Sequence, residues 1–242
     1  MQRKYIYRII LGLFTILCFE GLSFSQGIDY KSIFGKDWDK AQSFVTENEN
    51  WLKPACEKNN ISFSFAVAMV FPELIRYSAL KDKIEISLLK TLYINLGEDY
   101  ADFSVGPFQM KPSFGEEIHK RVQSVRERRI RNLFKTGTSY TDVREYRKSI
   151  VTDLEDPGSE LNYLIAFIKI CEHNYMINWK DENEKMKFFS TAYNCGLDKG
   201  QDYINAMSEK KFFSTSILKT KTYSYSDISV YWYILNNKPG ND

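Results

Sequence analysis

An acid at the end of an apolar run is the residue of this chain best suited to proton transfer. Ala66, Val67, Ala68, Met69, Val70 and Phe71 lead without a polar break into Pro72 and Glu73. Burial among such neighbours disfavours the charged form of a carboxyl and raises its pKa, which keeps an acid protonated near neutral pH. Two structural readings compete with that one. Glu73 also suits the first turn of a helix restarted after Pro72, where the helix dipole favours acids, or a pairing with Arg76. Two further clusters carry groups that bind polar ligands. Ser104-Val105-Gly106-Pro107-Phe108-Gln109-Met110 reads as a turn feeding a short helical piece, with Gly106 allowing positive φ or a close backbone approach. Ala192-Tyr193-Asn194-Cys195-Gly196 closes a patterned helix. Gln109 and Asn194 each offer both donors and acceptors. The acidic, aromatic loop Glu98-Asp99-Tyr100-Ala101-Asp102-Phe103 enters the Gly106 turn. Glu98 or Asp102 would supply a second carboxylate as base; otherwise the loop is a surface feature or a cap.

The elements that must position these groups read as helices, with no long β-rich stretch, no internal repeat and no low-complexity linker. Residues 30 to 60 offer Trp38, Phe44, Trp51 and Leu52 as core contacts. Ser64 is placed to cap the all-apolar helix ahead of Glu73, and Pro72 removes a backbone donor, so a kink or restart is expected there. Asp82-Lys83-Ile84-Glu85 resembles a capping box before an amphipathic helix with Leu89, Leu92, Tyr93 and Leu96 on one face. Ser113-Phe114-Gly115-Glu116 reads as a second box, before Ile118, Val122 and Val125. The basic stretch from His119 to Lys135 suits a solvated helix face, or a wall facing an anionic polymer. Asp156-Pro157-Gly158 signals a turn, and Leu161, Leu164, Ile165, Ile168 and Tyr175 follow at helical spacing. Gly196 is a good helix terminator, and the tyrosine-rich end from Tyr223 to Tyr233 suits a closing helix.

The first 25 residues read as a secretory leader: Arg3, Lys4 and Arg8, then an apolar run from Ile9 to Phe19, then Ser23-Phe24-Ser25 with small residues at both positions of a cleavage site. The run is short for a membrane span. An uncleaved anchor is the alternative, and bulky Leu17 argues against Cys18 as a lipidated cysteine. Residues 26–242 then form one domain with an N-terminal extension, exported to the periplasm or cell envelope. Losing Arg3, Lys4, Arg8 and Glu20 takes the formal charge from +2 to zero, so bulk charge gives no support to a nucleic-acid partner. Aromatic residues make up 15%, which suits a packed core or a groove that stacks on flat ligands. Cys56, Cys171 and Cys195 remain. They allow one disulfide or none, and Cys171 with Cys195, on consecutive helices, is the pair expected to meet. No pair has metal-ligand spacing, the two histidines are far apart, and no metal site is expected. Nor does any spacing support a Cys195–His173 nucleophile.

Taken in order, the Glu73 segment, the Ser104–Met110 motif and the Ala192–Gly196 motif resemble the lytic transglycosylases of the goose-type lysozyme-like superfamily. That family shows Glu-Ser, then Gly-Leu-Met-Gln, then Ala-Tyr-Asn-Ala-Gly, and the likeness spans residues 50 to 235. The resemblance implies a mainly α, lysozyme-like helical domain, with the helix from Asp82 to Leu96 inserted beside the glycan groove. It places Glu73 on the catalytic acid/base, Gly106 and Gln109 on the motif lining the groove, Tyr193 on the tyrosine that hydrogen-bonds the glutamate, and Asn194 on the asparagine that contacts the sugar. It implies no cofactor, and peptidoglycan glycan strands, with an envelope complex, as partners. The departures are Leu74 for the serine after the glutamate, Pro107-Phe108 for Leu-Met, Cys195 for alanine, and a longer interval between Glu73 and Gly106.

The implied reaction needs one carboxylate. Glu73 protonates the glycosidic oxygen between N-acetylmuramic acid and N-acetylglucosamine, then takes the proton of the muramyl 6-hydroxyl as that oxygen attacks C1, giving a 1,6-anhydro product. A hydrolytic muramidase or chitinase-like enzyme on the same fold would need a second carboxylate, Glu98, Asp99 or Asp102, to activate water. A catalytically weak glycan-binding protein of an envelope machine is the reading from another class.

Overall fold

The computed structural model describes residues 28–79, 83–101, 103–134, 140, 142–215 and 221–237. The leader with Cys18, Asp82 with the box it would open, and Asp102 lie outside them. The chain divides into two compact units, 1–33 and 34–242. In the first, Asp29 accepts the Ser32 N–H at 3.2 Å and opens the short helix α1 (Tyr30–Phe34).

The second unit is mainly α-helical. Helix α2 (Lys36–Lys58) buries Trp38, Ala41, Val45, Leu52 and Cys56 at helical spacing, while Phe44 and Trp51 stay half-buried. Helix α3 (Phe63–Ala79) is buried without a break from Phe65 to Ile75, as a helix apolar on every side must be. Two expectations change here. The Phe65 N–H is capped by Ser62 Oγ at 3.3 Å, not by Ser64. The helix also continues through Pro72, so the restart does not occur. A mid-helix proline costs about 3 kcal/mol, but Phe71 beside it is held between Trp232, stacked at 5.2 Å, and Trp38, edge-on at 4.6 Å. Packing on both sides of the weak point outweighs the missing hydrogen bond.

Helices α4 (Lys83–Leu96), α5 (Pro112–Arg121), α6 (Arg128–Arg131), α7 (Val143–Glu155) and α8 (Pro157–Asn174) follow. On α4 only Tyr93 of the expected stripe is buried; Leu89 and Leu92 are intermediate and Leu96 is exposed. Helix α5 starts at Pro112 with no side-chain cap, so the expected Ser113–Glu116 box does not form. Proline's fixed φ opens the helix instead, and Glu116 is taken by the Tyr93 hydroxyl. The basic stretch is likewise no single helix: α5 gives way to a 3₁₀ turn (Val122–Ser124), then to α6. Ile118, Val122, Val125 and Ile130 tuck inward while Arg126, Arg128 and Arg129 stay exposed. Asp156 turns the chain and caps α8, accepting the Ser159 N–H at 2.8 Å with Pro157 in the first turn.

Helix α9 (Glu182–Cys195) ends at Gly196, whose φ of 97° suits glycine. Helix α10 (Gln201–Ser208), a hairpin of β1 (Lys211–Phe213) with β2 (Tyr223–Ser224), and α11 (Tyr225–Asn236), capped by Ser224, complete the unit. Around α3 pack α2, α8, α9 and α11; α8 also packs against α5 and α7, and α7 carries α4. Helix α8 therefore links the two groups of helices.

Cys56, Cys171 and Cys195 are free. The expected Cys171–Cys195 bridge is absent because Cys171 faces the core of α8 while Cys195 opens at the end of α9. Peptide mapping after denaturing alkylation without reduction should find Cys56, Cys171 and Cys195 each modified; an oxidised Cys171–Cys195 peptide pair would contradict this.

Candidate functional site

Glu73 lies within α3, not at a fresh helix start. Its carboxyl is buried and accepts from one nitrogen of Arg76, Nη1 lying 3.0 Å from Oε1 and 2.7 Å from Oε2. The Tyr225 hydroxyl, which donates to the Met69 carbonyl at 3.4 Å, lies close enough to Glu73 to act on its charge. Burial raises the pKa of Glu73, and Arg76, Tyr225 and the more distant Lys111 pull it back.

The Gly106 motif is a tight loop rather than the start of a helix. Val105 and Met110 pair across it, N–H to carbonyl at 2.8 and 3.0 Å. Gly106 and Gln109 both take positive φ, 71° and 53°. A Cβ on Gly106 would lie 2.5 Å from the Leu154 carbonyl oxygen and 2.5 Å from the Glu160 carboxyl carbon, so only glycine fits. Gln109 Nε2 donates to the Gly106 carbonyl at 2.8 Å.

Two helices fasten this loop through Phe108. Its N–H donates to both oxygens of Glu160, at 3.1 and 3.2 Å, and its carbonyl accepts the Tyr193 hydroxyl at 2.8 Å. Glu160 is fully buried on α8. Burial raises its pKa well above the usual carboxyl range against the pull of the Phe108 and Met110 N–H groups, and Glu73 adds repulsion. Tyr193 is wedged edge-to-face between Phe114 at 5.6 Å and Phe167 at 5.3 Å. The hydrogen bond that the resemblance gave to Tyr193 and Glu73 is not made: the Tyr193 hydroxyl bonds the loop instead. Tyr193→Phe should lower stability by about 1–2 kcal/mol by leaving the Phe108 carbonyl without that partner. An unchanged melting temperature would show that the bond contributes nothing.

Glu73, Gln109, Tyr193 and Asn194 line one groove of about 740 Å³, within the range of small-ligand sites. One wall is α5, where Ser113, Glu116, Glu117 and Lys120 follow at helical spacing over roughly 10 Å. The residues from Asn194 to Asp198 also line it, as do Tyr146 and Arg147 of α7. Glu98 reaches the groove. Gly106 lies behind the loop rather than in the lining. Helix α4 supplies no lining residue but supports the α5 wall through Tyr93, which bonds Glu116 and lies under the Arg147 guanidinium.

Sequence reasoning missed Glu160 and Tyr225. An acid three residues past Asp-Pro looks like an ordinary first-turn helix acid, and Tyr225 is one of 16 tyrosines. Among the described residues, no cluster of three or more His, Cys, Asp or Glu stands ready for a metal, and no helix is long and apolar enough to cross a membrane.

Fold and site together define a mainly helical domain with a buried, arginine-paired acid at a polar groove. The chain matches no protein-family model, no curated protein and no solved structure.

Proposed function

We propose that this protein is an exported lytic transglycosylase with a lysozyme-like helical domain, which cleaves the β-1,4 bond between N-acetylmuramic acid and N-acetylglucosamine in peptidoglycan with Glu73 as its single acid/base. The observation that carries the reading is that the three motifs, far apart in sequence, share one groove with the only carboxyl of the central helix at its base. In this reading Glu73, kept from solvent, donates to the glycosidic oxygen. The oxocarbenium-like centre is then trapped by the muramyl 6-hydroxyl as Glu73 takes its proton back. Gln109 and Asn194 hydrogen-bond the sugar substituents, and the Glu160–Phe108–Tyr193 clamp fixes Gln109 relative to the acid.

The presence of Glu98 in the same groove favours a second reading, hydrolysis with Glu98 as base. Mass spectrometry of soluble fragments released from purified peptidoglycan decides between them. Anhydromuramyl ends are expected; reducing ends with loss of activity in Glu98→Gln would establish hydrolysis, and no release would defeat both.

A further inference from the structure

Arg76 is poorly explained as part of an acid's support. A guanidinium whose one nitrogen spans both carboxylate oxygens stabilises the ionised form, the wrong form for donating a proton. It is also well placed to leave. Its side chain is 28% exposed against 5% for Glu73, it lines the groove, and its guanidinium carbon lies 4.8 Å over the buried Phe213 ring, which offers a surface independent of Glu73. What best draws a guanidinium from one carboxylate is another carboxylate, which matches its planar fork.

Resting on the glycan-cleaving reading above, we propose that Arg76 recognises a carboxylate on the bound glycan: the guanidinium passes from Glu73 to the substrate, and Glu73 takes up one proton from solvent and becomes the acid. Cleavage is thereby coupled to a strand that carries negative charge beside the scissile bond. Uncharged chitin-type glycan has none. Muramic acid has a lactyl carboxylate, free where stem peptides have been removed and amide-linked where they remain; the stem peptides bring carboxylates of their own. If the lactyl group is the one recognised, the reaction that supplies this substrate is hydrolysis of the amide joining peptide to muramic acid. The other groups facing Glu73 do not provide such a switch. Burial raises the pKa of Glu160 of α8 from the carboxyl range and those of Tyr225 of α11 and Tyr193 of α9 above the phenol's ordinary 10, and Lys111 ahead of α5 acts only at longer range. Asp37 of α2 sits by Ser78, farther along α3.

The test compares initial rates and pH profiles of the wild-type protein and Arg76→Gln on intact peptidoglycan, on glycan strands stripped of peptide by an amidase, and on chitohexaose. The wild type should prefer a carboxylate-bearing strand over chitohexaose by about tenfold or more. Stripped strands lead if the lactyl carboxylate is read, and intact peptidoglycan leads if the stem carboxylates are. Arg76→Gln should reduce that preference to within about threefold and move the alkaline limb of kcat/KM to higher pH, because Glu73 without its cation holds its proton longer. Calorimetry of the wild-type protein with the preferred strand, in buffers of different ionisation enthalpy, should show uptake of about one proton; this arm needs no variant to fold. A wild-type protein that cleaves carboxylated strands with no proton uptake, or with a preference that Arg76→Gln leaves intact, overturns the exchange while sparing the glycan reading. A wild-type protein that cleaves none of the three glycans overturns both.

Discussion

Glu73→Gln should lower the release of soluble muropeptides by at least about 10²–10⁴-fold, the ordinary weight of a general acid/base. Glutamine fills the same space and its amide oxygen can still accept from Arg76, but it can neither give up nor recover the carboxylic proton. The folded state should survive, and its response to pH reports the acid's environment. A carboxyl whose pKa is raised by folding binds more protons folded than unfolded between the two values, so stability falls as pH rises through that window. For Glu73 the window opens above 4.5, the ordinary value. Melting temperatures measured from acid to neutral pH should therefore decline less steeply in Glu73→Gln than in the wild type. Wild-type release rates in a variant that melts normally would remove Glu73 from the mechanism and the transglycosylase reading with it.

Gly106→Ala should be the most damaging single-methyl change in the chain. The added carbon meets the Leu154 carbonyl and the Glu160 carboxyl carbon, each at 2.5 Å, on a backbone whose φ of 71° already excludes most side chains. Neither neighbour is a flexible chain end, since one is backbone and the other is held by the Phe108 N–H. Strain and overpacking each contribute on the order of 1–3 kcal/mol, so a loss of about 3–5 kcal/mol is expected. For a chain of this size that lowers the melting temperature by roughly 10 °C. Activity should fall as well, because Gln109 is three residues along the same loop. A melting temperature within a degree or two of the wild type would mean that the loop can move away from α8.

How far the site was legible follows from how local each signal is. Glu73 stood out because six apolar residues precede it on its own helix, and Gly196 because a helix ends where its pattern stops. Gly106 was legible as a special backbone position, but the reason it is special, the carboxyl of Glu160 pressed against it, comes from 54 positions later in the numbering. Glu160 itself carried no distinguishing mark, since its burial depends on what the loop places over it. Pro72 misled for the complementary reason: its local penalty is real, and the aromatic packing that overrides it comes from α2 and α11. The Cys171–Cys195 pairing failed because helix adjacency says nothing about which way each sulfur faces. The mainly helical class was readable throughout, being the summed effect of many short-range preferences.

The clamps at the site also impose an order of events on the newborn chain. Phe108 is fastened by residues 52 and 85 positions downstream, and the Tyr225 hydroxyl reaches back 156 positions to the Met69 carbonyl. Contacts this distant form late, because the intervening chain must first be gathered. Until the C-terminal helix docks against α3, the burial that raises the Glu73 pKa is incomplete. The surroundings of this carboxyl are therefore among the last parts of the fold to be finished.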